Sequence, residues 1–280
     1  MVDITDLVTF DEFITHWAAD RPDRIAMREE DRVFSYAELE ERTARVATAL
    51  AEAGLEKGDR IAWIGKNSDL YFTLFFGAAR AGIVMAPIGW RLSPTEWAFI
   101  VNDTKAKIVF TGPGFDAVAD QLAGKLDHGP RIGGADATRA LIDATPRGAF
   151  MPSGPDDAVL QLYTSGTTGH PKGAVLSNRN LFALRKNSAD LDLPYTKWED
   201  DEAVLVAMPC AHIGGTGLGI MALAAGLPGV ILAEFNPEGV FDAVEQHGVT
   251  RFFIVPAALQ MLLMHPRCAS VDYSRLKYIL

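Results

Sequence analysis

Cysteine is scarce: Cys210 and Cys268 are the only two in 280 residues. Two thiols do not make a disulfide framework, so a reducing cytoplasm is the expected compartment. Positive charge is also in short supply, with 26 Lys and Arg against 36 Asp and Glu and a formal net charge of −10. That deficit, with no basic block, argues against a nucleic-acid surface and against electrostatic docking on anionic lipid. No apolar run reaches the roughly 18 residues of a membrane helix. The longest candidate, Ile213 to Leu227, is interrupted by glycines and followed by Pro228. The acidic first residues, Met1 to Asp6, carry no signal-peptide pattern. Internal repeats and low-complexity tracts are missing too. What remains, 49% hydrophobic and 22% charged, is ordinary for a globular chain, long enough for a large core or two packed subdomains.

The most informative stretch is Thr164-Ser165-Gly166-Thr167-Thr168-Gly169-His170-Pro171-Lys172-Gly173. It follows the apolar run Ala158 to Leu162 and precedes a second, Ala174 to Leu176, so two buried strands are expected to frame it. The composition suits a polyphosphate. Glycines allow close approach of backbone N–H groups, hydroxyls donate further hydrogen bonds, and a lysine brings a point charge. Gly166 and Lys172 have the spacing of a phosphate loop, but Pro171 stands where its second glycine belongs and Gly173 where its Ser or Thr belongs. An ordinary P-loop is therefore a poor match.

Those ten residues resemble the phosphate-binding signature of the adenylate-forming superfamily: acyl-CoA synthetases, luciferases and peptide-synthetase adenylation domains. The resemblance extends along the whole chain. Phe34 to Leu39 and Phe76 to Ile88 are similar to two further segments of the family, although Gly89 stands where Asn is usual. The resemblance implies activation of a carboxylic acid by ATP with Mg2+, giving an acyl-adenylate and pyrophosphate, then transfer to coenzyme A. Thr164, Ser165, Gly166, Thr167, Thr168, Gly169 and Lys172 would grip the phosphates, and Lys172 would offset charge on the departing pyrophosphate. A fatty or other apolar acid is the expected substrate. No metal ligand is assigned.

Taken in order, the chain alternates strand and helix signals. Capping boxes at Thr9–Glu12 and Ser35–Glu38 open two helices, and Ile25–Met27 with Val33–Phe34 reads as a hairpin between them. Ile61–Ile64, a helix over Asp69–Arg80 and Ile83–Pro87 form a strand–helix–strand unit, which implies a parallel sheet. Ser93-Pro94 opens another helix, and Lys107–Phe110 is a strand. A helix is expected around Asp116 to Leu126, then loop with one short helix from Asp127 to Asp157. Beyond the phosphate loop come a helical pattern from Asn178 and an acidic connector, Trp198 to Glu202, read as solvated. A strand over Ala203–Val206, a second unit of strand (Val230–Leu232), helix (from Pro237) and strand (Arg251–Val255), a helix from Pro256, and a strand at Lys277–Leu280 complete the pattern.

The expected fold is α/β: mainly parallel sheets flanked by helices, in two similarly built subdomains. One would cover about 60–190 with the phosphate loop, the other about 1–59 plus 191–280. His212 lies at the end of a strand, where open α/β sheets bind ligands. The resemblance places it beside the acyl carboxylate and the phosphate, with Ala211 replacing the family's aromatic residue. Gly214, Gly215, Gly217 and Gly219 suit a backbone lying against a ligand, and the resemblance implies an acyl pocket of His212 with Gly214, Gly215, Val255, Pro256 and Leu259. Later motifs of the family, including its magnesium glutamate and C-terminal lysine, find no counterpart. The chain is therefore expected to be the N-terminal part of a longer enzyme and inactive alone. Two other readings stay open: a peptide-synthetase-type adenylation domain, and an ATP-binding phosphotransferase or ATPase with a degenerate loop, which would yield ADP instead of AMP.

Overall fold

The computed structural model describes residues 6–164, 171–183 and 197–280. Local signals act as written at the first helices. Thr9 and Ser35 cap α1 (Phe10–Asp20) and α2 (Tyr36–Glu52) in full capping boxes, and between them β1 (Ile25–Glu29) and β2 (Arg32–Ser35) pair as an antiparallel hairpin. β3 (Arg60–Ile64), α3 (Asp69–Arg80) and β4 (Val84–Ile88) form the expected strand–helix–strand unit with parallel strands. Ser93 caps α4 (Pro94–Thr104), which leads to β5 (Ile108–Thr111).

From Gly112 onward the structure departs from expectation. The helix expected around Asp116–Leu126 is only α5 (Val118–Leu122), and the part beyond it contains the unexpected β6 (Arg131–Gly133) before its one short helix, α6 (Ala135–Ala144). β6 is a three-residue edge strand with one apolar residue, too short to show a period. β7 (Ala158–Thr164) and β8 (Lys172–Ser177) flank the segment expected to bind phosphate, and a helix begins at Asn178. β8 is not the buried strand expected: it forms the sheet edge, and Val175 is 46% exposed.

The remainder comprises β9 (Val204–Val206), α7 (Ile213–Ala225), β10 (Gly229–Ile231), α8 (Pro237–His247), β11 (Arg251–Phe252), α9 (Pro256–Met264) and β12 (Tyr278–Ile279). α7 is a helix the sequence did not announce, and its glycines explain both facts. Each costs helix stability of about 1 kcal/mol relative to alanine. Yet a Cβ on Gly215 would lie 2.3 Å from the Met208 carbonyl oxygen, and one on Gly219 2.2 Å from the Phe72 ring. These two glycines let α7 approach its neighbours.

The strands form two six-stranded sheets, β12-β11-β9-β10-β1-β2 and β6-β5-β3-β4-β7-β8. In each, five strands are parallel and an antiparallel hairpin strand closes one edge. α3 lies between them, touching β4 and β7 on one side and β1 on the other, and all twelve of its residues are buried. Helices that are apolar all round belong in such a layer. Phe10, Phe75, Phe76 and Phe182 pack edge-on or tilted around it. The acidic connector is not simply solvated: Glu202 is buried, where it binds Arg251 through paired contacts (Nη2 to Oε1 2.8 Å) and Lys277 at 3.0 Å. Among the described residues no helix is long and apolar enough to cross a membrane.

Candidate active site

Parallel strands deliver their C-terminal ends to one edge, and loops leaving that edge carry the candidate residues. In the second sheet, β7 ends at Thr164 and β8 starts at Lys172. The two residues are direct antiparallel partners across the hairpin. Both are exposed, and among the described residues no carboxylate pairs with Lys172. Ser165, Gly166, Thr167, Thr168 and Gly169 lie outside the described residues. The end of β7 is anchored on the face that packs against α4. The Tyr163 hydroxyl donates to Asp103, and Gln161 Nε2 donates to the Tyr163 oxygen at 3.0 Å. Burial, reinforced by Asp103, pushes the Tyr163 hydroxyl well above its ordinary pKa, so it stays a donor. Gly173 is needed here, since a Cβ would meet Gln161 Nε2 at 2.4 Å and the Tyr163 ring at 2.9 Å.

In the first sheet, β9 runs into the turn Pro209-Cys210-Ala211-His212, closed by the His212 N–H donating to the Pro209 oxygen at 3.0 Å. His212 is the N-cap of α7. Its carbonyl accepts from Gly215 and Thr216, while its exposed side chain makes no capping bond. The first turn of α7 holds no acidic residue, so the positive end of the helix stays uncompensated beside the imidazole. Gly214 faces Phe253, whose Cε1 would lie 2.7 Å from an added Cβ. That brings His212 and Gly214 to the segment leading into α9, where Val255 and Pro256 are exposed and Leu259 is half-buried. Gly215 is buried against the turn instead of facing an open space. Cys210 is buried, and burial pushes its thiol up to about 12, which leaves it protonated and unreactive.

Among the described residues no hydrogen bond or ion pair joins Lys172 or Thr164 to His212. The sheets are tied instead by a residue the sequence reading passed over. Asn67, in the loop between β3 and α3, bonds the ends of β9 and β10. Asn-Ser ahead of a helix reads only as a capped loop, so nothing local marked it. Beside it, Lys66 binds Glu234 at 2.6 Å, also across the two sheets.

A family model described as AMP-binding enzyme matches residues 14–280. A feruloyl-CoA synthase of Amycolatopsis sp is 37% identical over 263 residues, covering 92% of this chain and 51% of that protein. The fatty acid–[acyl-carrier-protein] ligase ScoC of Streptomyces coeruleorubidus is 33% identical over 253 residues, covering 89% and 48%. The chain thus spans about half the length of the curated relatives it matches. The crystal structure of the N-terminal domain of FACL13 from Mycobacterium tuberculosis, with an inhibitor bound, superposes with a TM-score of 0.86 at 27% identity, covering 97% of this chain and 69% of that one. With a family model that spans nearly its whole length and a fold that superposes on such a domain, the chain belongs to the AMP-binding enzymes.

Proposed function

We propose that the protein, at its natural length, activates a carboxylic acid with ATP and transfers the acyl group to coenzyme A. In the first step a carboxylate oxygen attacks the α-phosphorus, the bond to pyrophosphate breaks, and an acyl-adenylate forms. In the second a thiol attacks the acyl carbon and AMP leaves. The observation that carries this reading is the facing pair Thr164 and Lys172. They stand at the mouth of a Ser/Thr/Gly loop, on the C-terminal edge of a parallel sheet. A hydroxyl and an ammonium there, both exposed, fit a triphosphate. Ser165, Gly166, Thr167, Thr168 and Gly169 would complete the cradle, and Lys172 would stabilise charge as it develops on pyrophosphate. His212 and the amino end of α7 would receive the acid's carboxylate, with Gly214, Val255, Pro256 and Leu259 along the acyl chain. The apolar character of the last three favours a fatty or other apolar acid. Mg2+ would accompany ATP, and no residue of this chain is assigned to it. On this reading the two sheets correspond to two subdomains, about 60–190 and about 1–59 plus 191–280, and two reduced cysteines suit the cytoplasm.

Acid-dependent ATP–pyrophosphate exchange tests the proposal, with fatty, aryl and amino acids compared. Exchange with apolar acids and AMP as the nucleotide product is expected. ADP as product would overturn adenylation in favour of phosphotransfer. Exchange with amino acids alone would overturn the apolar acid. Coenzyme A is the proposed acceptor. The name of the ScoC relative makes an acyl-carrier protein the second acceptor to assay.

A further inference from the structure

Adenylation joins two groups that this fold holds on different sheets. On the proposed reading the phosphates belong to the sheet of β7 and β8, the acid's carboxylate to the turn after β9. Something must fix one edge against the other to within a fraction of an ångström, because small displacements of reacting groups cost rate steeply.

Asn67 has the connections for this. It is 3% exposed and leaves from the C-terminal end of β3 in the phosphate-loop sheet. Every polar group it carries except its own carbonyl is bonded to the segments that leave the other sheet after β9 and β10. The backbone N–H donates to Ala233 oxygen at 3.0 Å. The side-chain Nδ2 donates to Met208 and Leu232 oxygens, both at 3.0 Å. The side-chain Oδ1 accepts from the Cys210 N–H at 2.8 Å. Two carbonyls and one N–H around one side chain require both a donor pair and an acceptor, which only an amide supplies. Cys210 is the second residue of the turn that ends at His212. Its other peptide group is held by the same neighbourhood: the Thr216 hydroxyl donates to the Cys210 oxygen at 2.6 Å, and the Tyr71 hydroxyl of α3 donates to Thr216 Oγ1 at 2.6 Å. Tyr71 and Thr216 are fully buried. The peptide groups on both sides of Cys210 are thus gripped from the loop and helix that follow β3. His212, whose side chain makes no capping bond, inherits its placement from them.

We infer that Asn67, seconded by Tyr71, is a positioning residue that sets the His212 turn against the phosphate-loop sheet. The inference rests on the proposed role of His212. The test uses the natural-length protein and a double-mutant cycle of Asn67→Ala with His212→Ala, read by acid-dependent pyrophosphate exchange. Asn67→Ala is expected to raise KM for the acid about tenfold and lower kcat, with KM for ATP within about twofold. In the His212→Ala background it should change exchange less than about twofold, because a residue acting through His212 has nothing left to position. Equal fold losses in both backgrounds, or wild-type kinetics in Asn67→Ala, would overturn the inference while leaving His212 in place. A wild-type KM for the acid in His212→Ala would remove the role of His212 and the inference together. Tyr71→Phe deletes one hydroxyl and keeps the ring. If Asn67→Ala does not fold, it runs the same cycle with the same expected pattern at smaller amplitude, and additivity there counts equally against the inference.

Discussion

Two hairpins occupy the same place in the two sheets and do different work. β1–β2 and β7–β8 each add one antiparallel strand to five parallel ones. Each has a register shift at the start of its first strand, and each second strand ends in a serine whose hydroxyl accepts an N–H of the following helix. They part at the turn. Glu29 and Arg32 are partners, so β1–β2 reverses in two residues. Thr164 and Lys172 are partners, so seven residues bridge β7–β8. Around the short turn, charges are drawn inward. Arg139 forks onto Asp69 at 2.8 and 2.7 Å, Arg32 reaches Asp69 at 3.1 Å and Glu29 at 3.0 Å, and Glu29 accepts from Ser68 and from the Asp69 N–H. Around the long turn, the flanking side chains face outward and exposed. One topology thus yields a structural clasp where the turn is short and charged, and a candidate ligand site where it is long and rich in glycine and hydroxyls. Substitutions in the first should move stability, and substitutions in the second should move rate.

Lys172→Ala carries the largest expected effect. Loss of the charge proposed to act as pyrophosphate departs should cut exchange by about 10²–10³-fold. Because the side chain is exposed, the melting temperature should stay within about 2 °C. A drop in melting temperature comparable to that of a core variant would erase the distinction between the hairpins.

The clasp should answer in the opposite sense. Asp69 is fully buried. Burial alone would raise its carboxyl, but the Arg139 fork and the Glu29 and Arg32 contacts outweigh it and hold it well below the usual carboxylate range. Asp69→Ala leaves two guanidinium groups without their shared partner, and about 3 kcal/mol of stability should be lost in denaturant titration. KM for ATP, measured well below the new melting point, should not change. A shift in that constant would mean that the clasp reaches the phosphate site.

Glu29 provides a smaller effect with a definite sign. Burial, then the neighbouring Asp69, pushes its carboxyl up to about 7 from an ordinary 4.5. A carboxyl raised by folding binds its proton more tightly in the native state. Its contribution is complete below about 4.5 and is lost as pH rises through 7. Glu29→Gln imitates the protonated form. It should flatten the stability profile between pH 5 and 8 by about 1 kcal/mol, making the variant relatively more stable at pH 8. Parallel profiles for variant and parent would show that Arg32 keeps Glu29 ionised throughout.

The difference between the hairpins was half legible. Capping boxes, short turns and apolar runs act within a few residues, so β1–β2, α1 to α4 and the framing of Thr164 to Lys172 could be read directly. The clasp could not, because Arg139 reaches Asp69 across 70 residues. Asn67 reaches its side-chain partners across 141 to 165, and Glu202 meets Arg251 across 49. Polar residues in loops look solvated until the fold supplies their partners. α7 was hidden for a different reason: glycines demanded by close packing at Met208 and Phe72 also weaken the helical pattern. In sequence those glycines suit a ligand surface, whereas in the fold Gly215 and Gly219 serve contact between elements.

The smallest effect concerns the edge itself. An apolar triplet, Ala174-Val175-Leu176, suggested a buried strand, yet Val175 is 46% exposed on β8 opposite Gln161. Val175→Thr keeps the β-branched shape and the strand propensity and adds one hydroxyl. At an exposed edge that hydroxyl meets water, so stability should change by less than about 0.5 kcal/mol and exchange should be unaffected. In a covered strand the same hydroxyl would be buried without a partner, at a cost of about 1–3 kcal/mol. The two outcomes are separable by a single thermal melt. The larger cost would show that the phosphate-loop hairpin has a packed outer face in solution, and its freedom from the core, on which the Lys172 expectation depends, would then be lost.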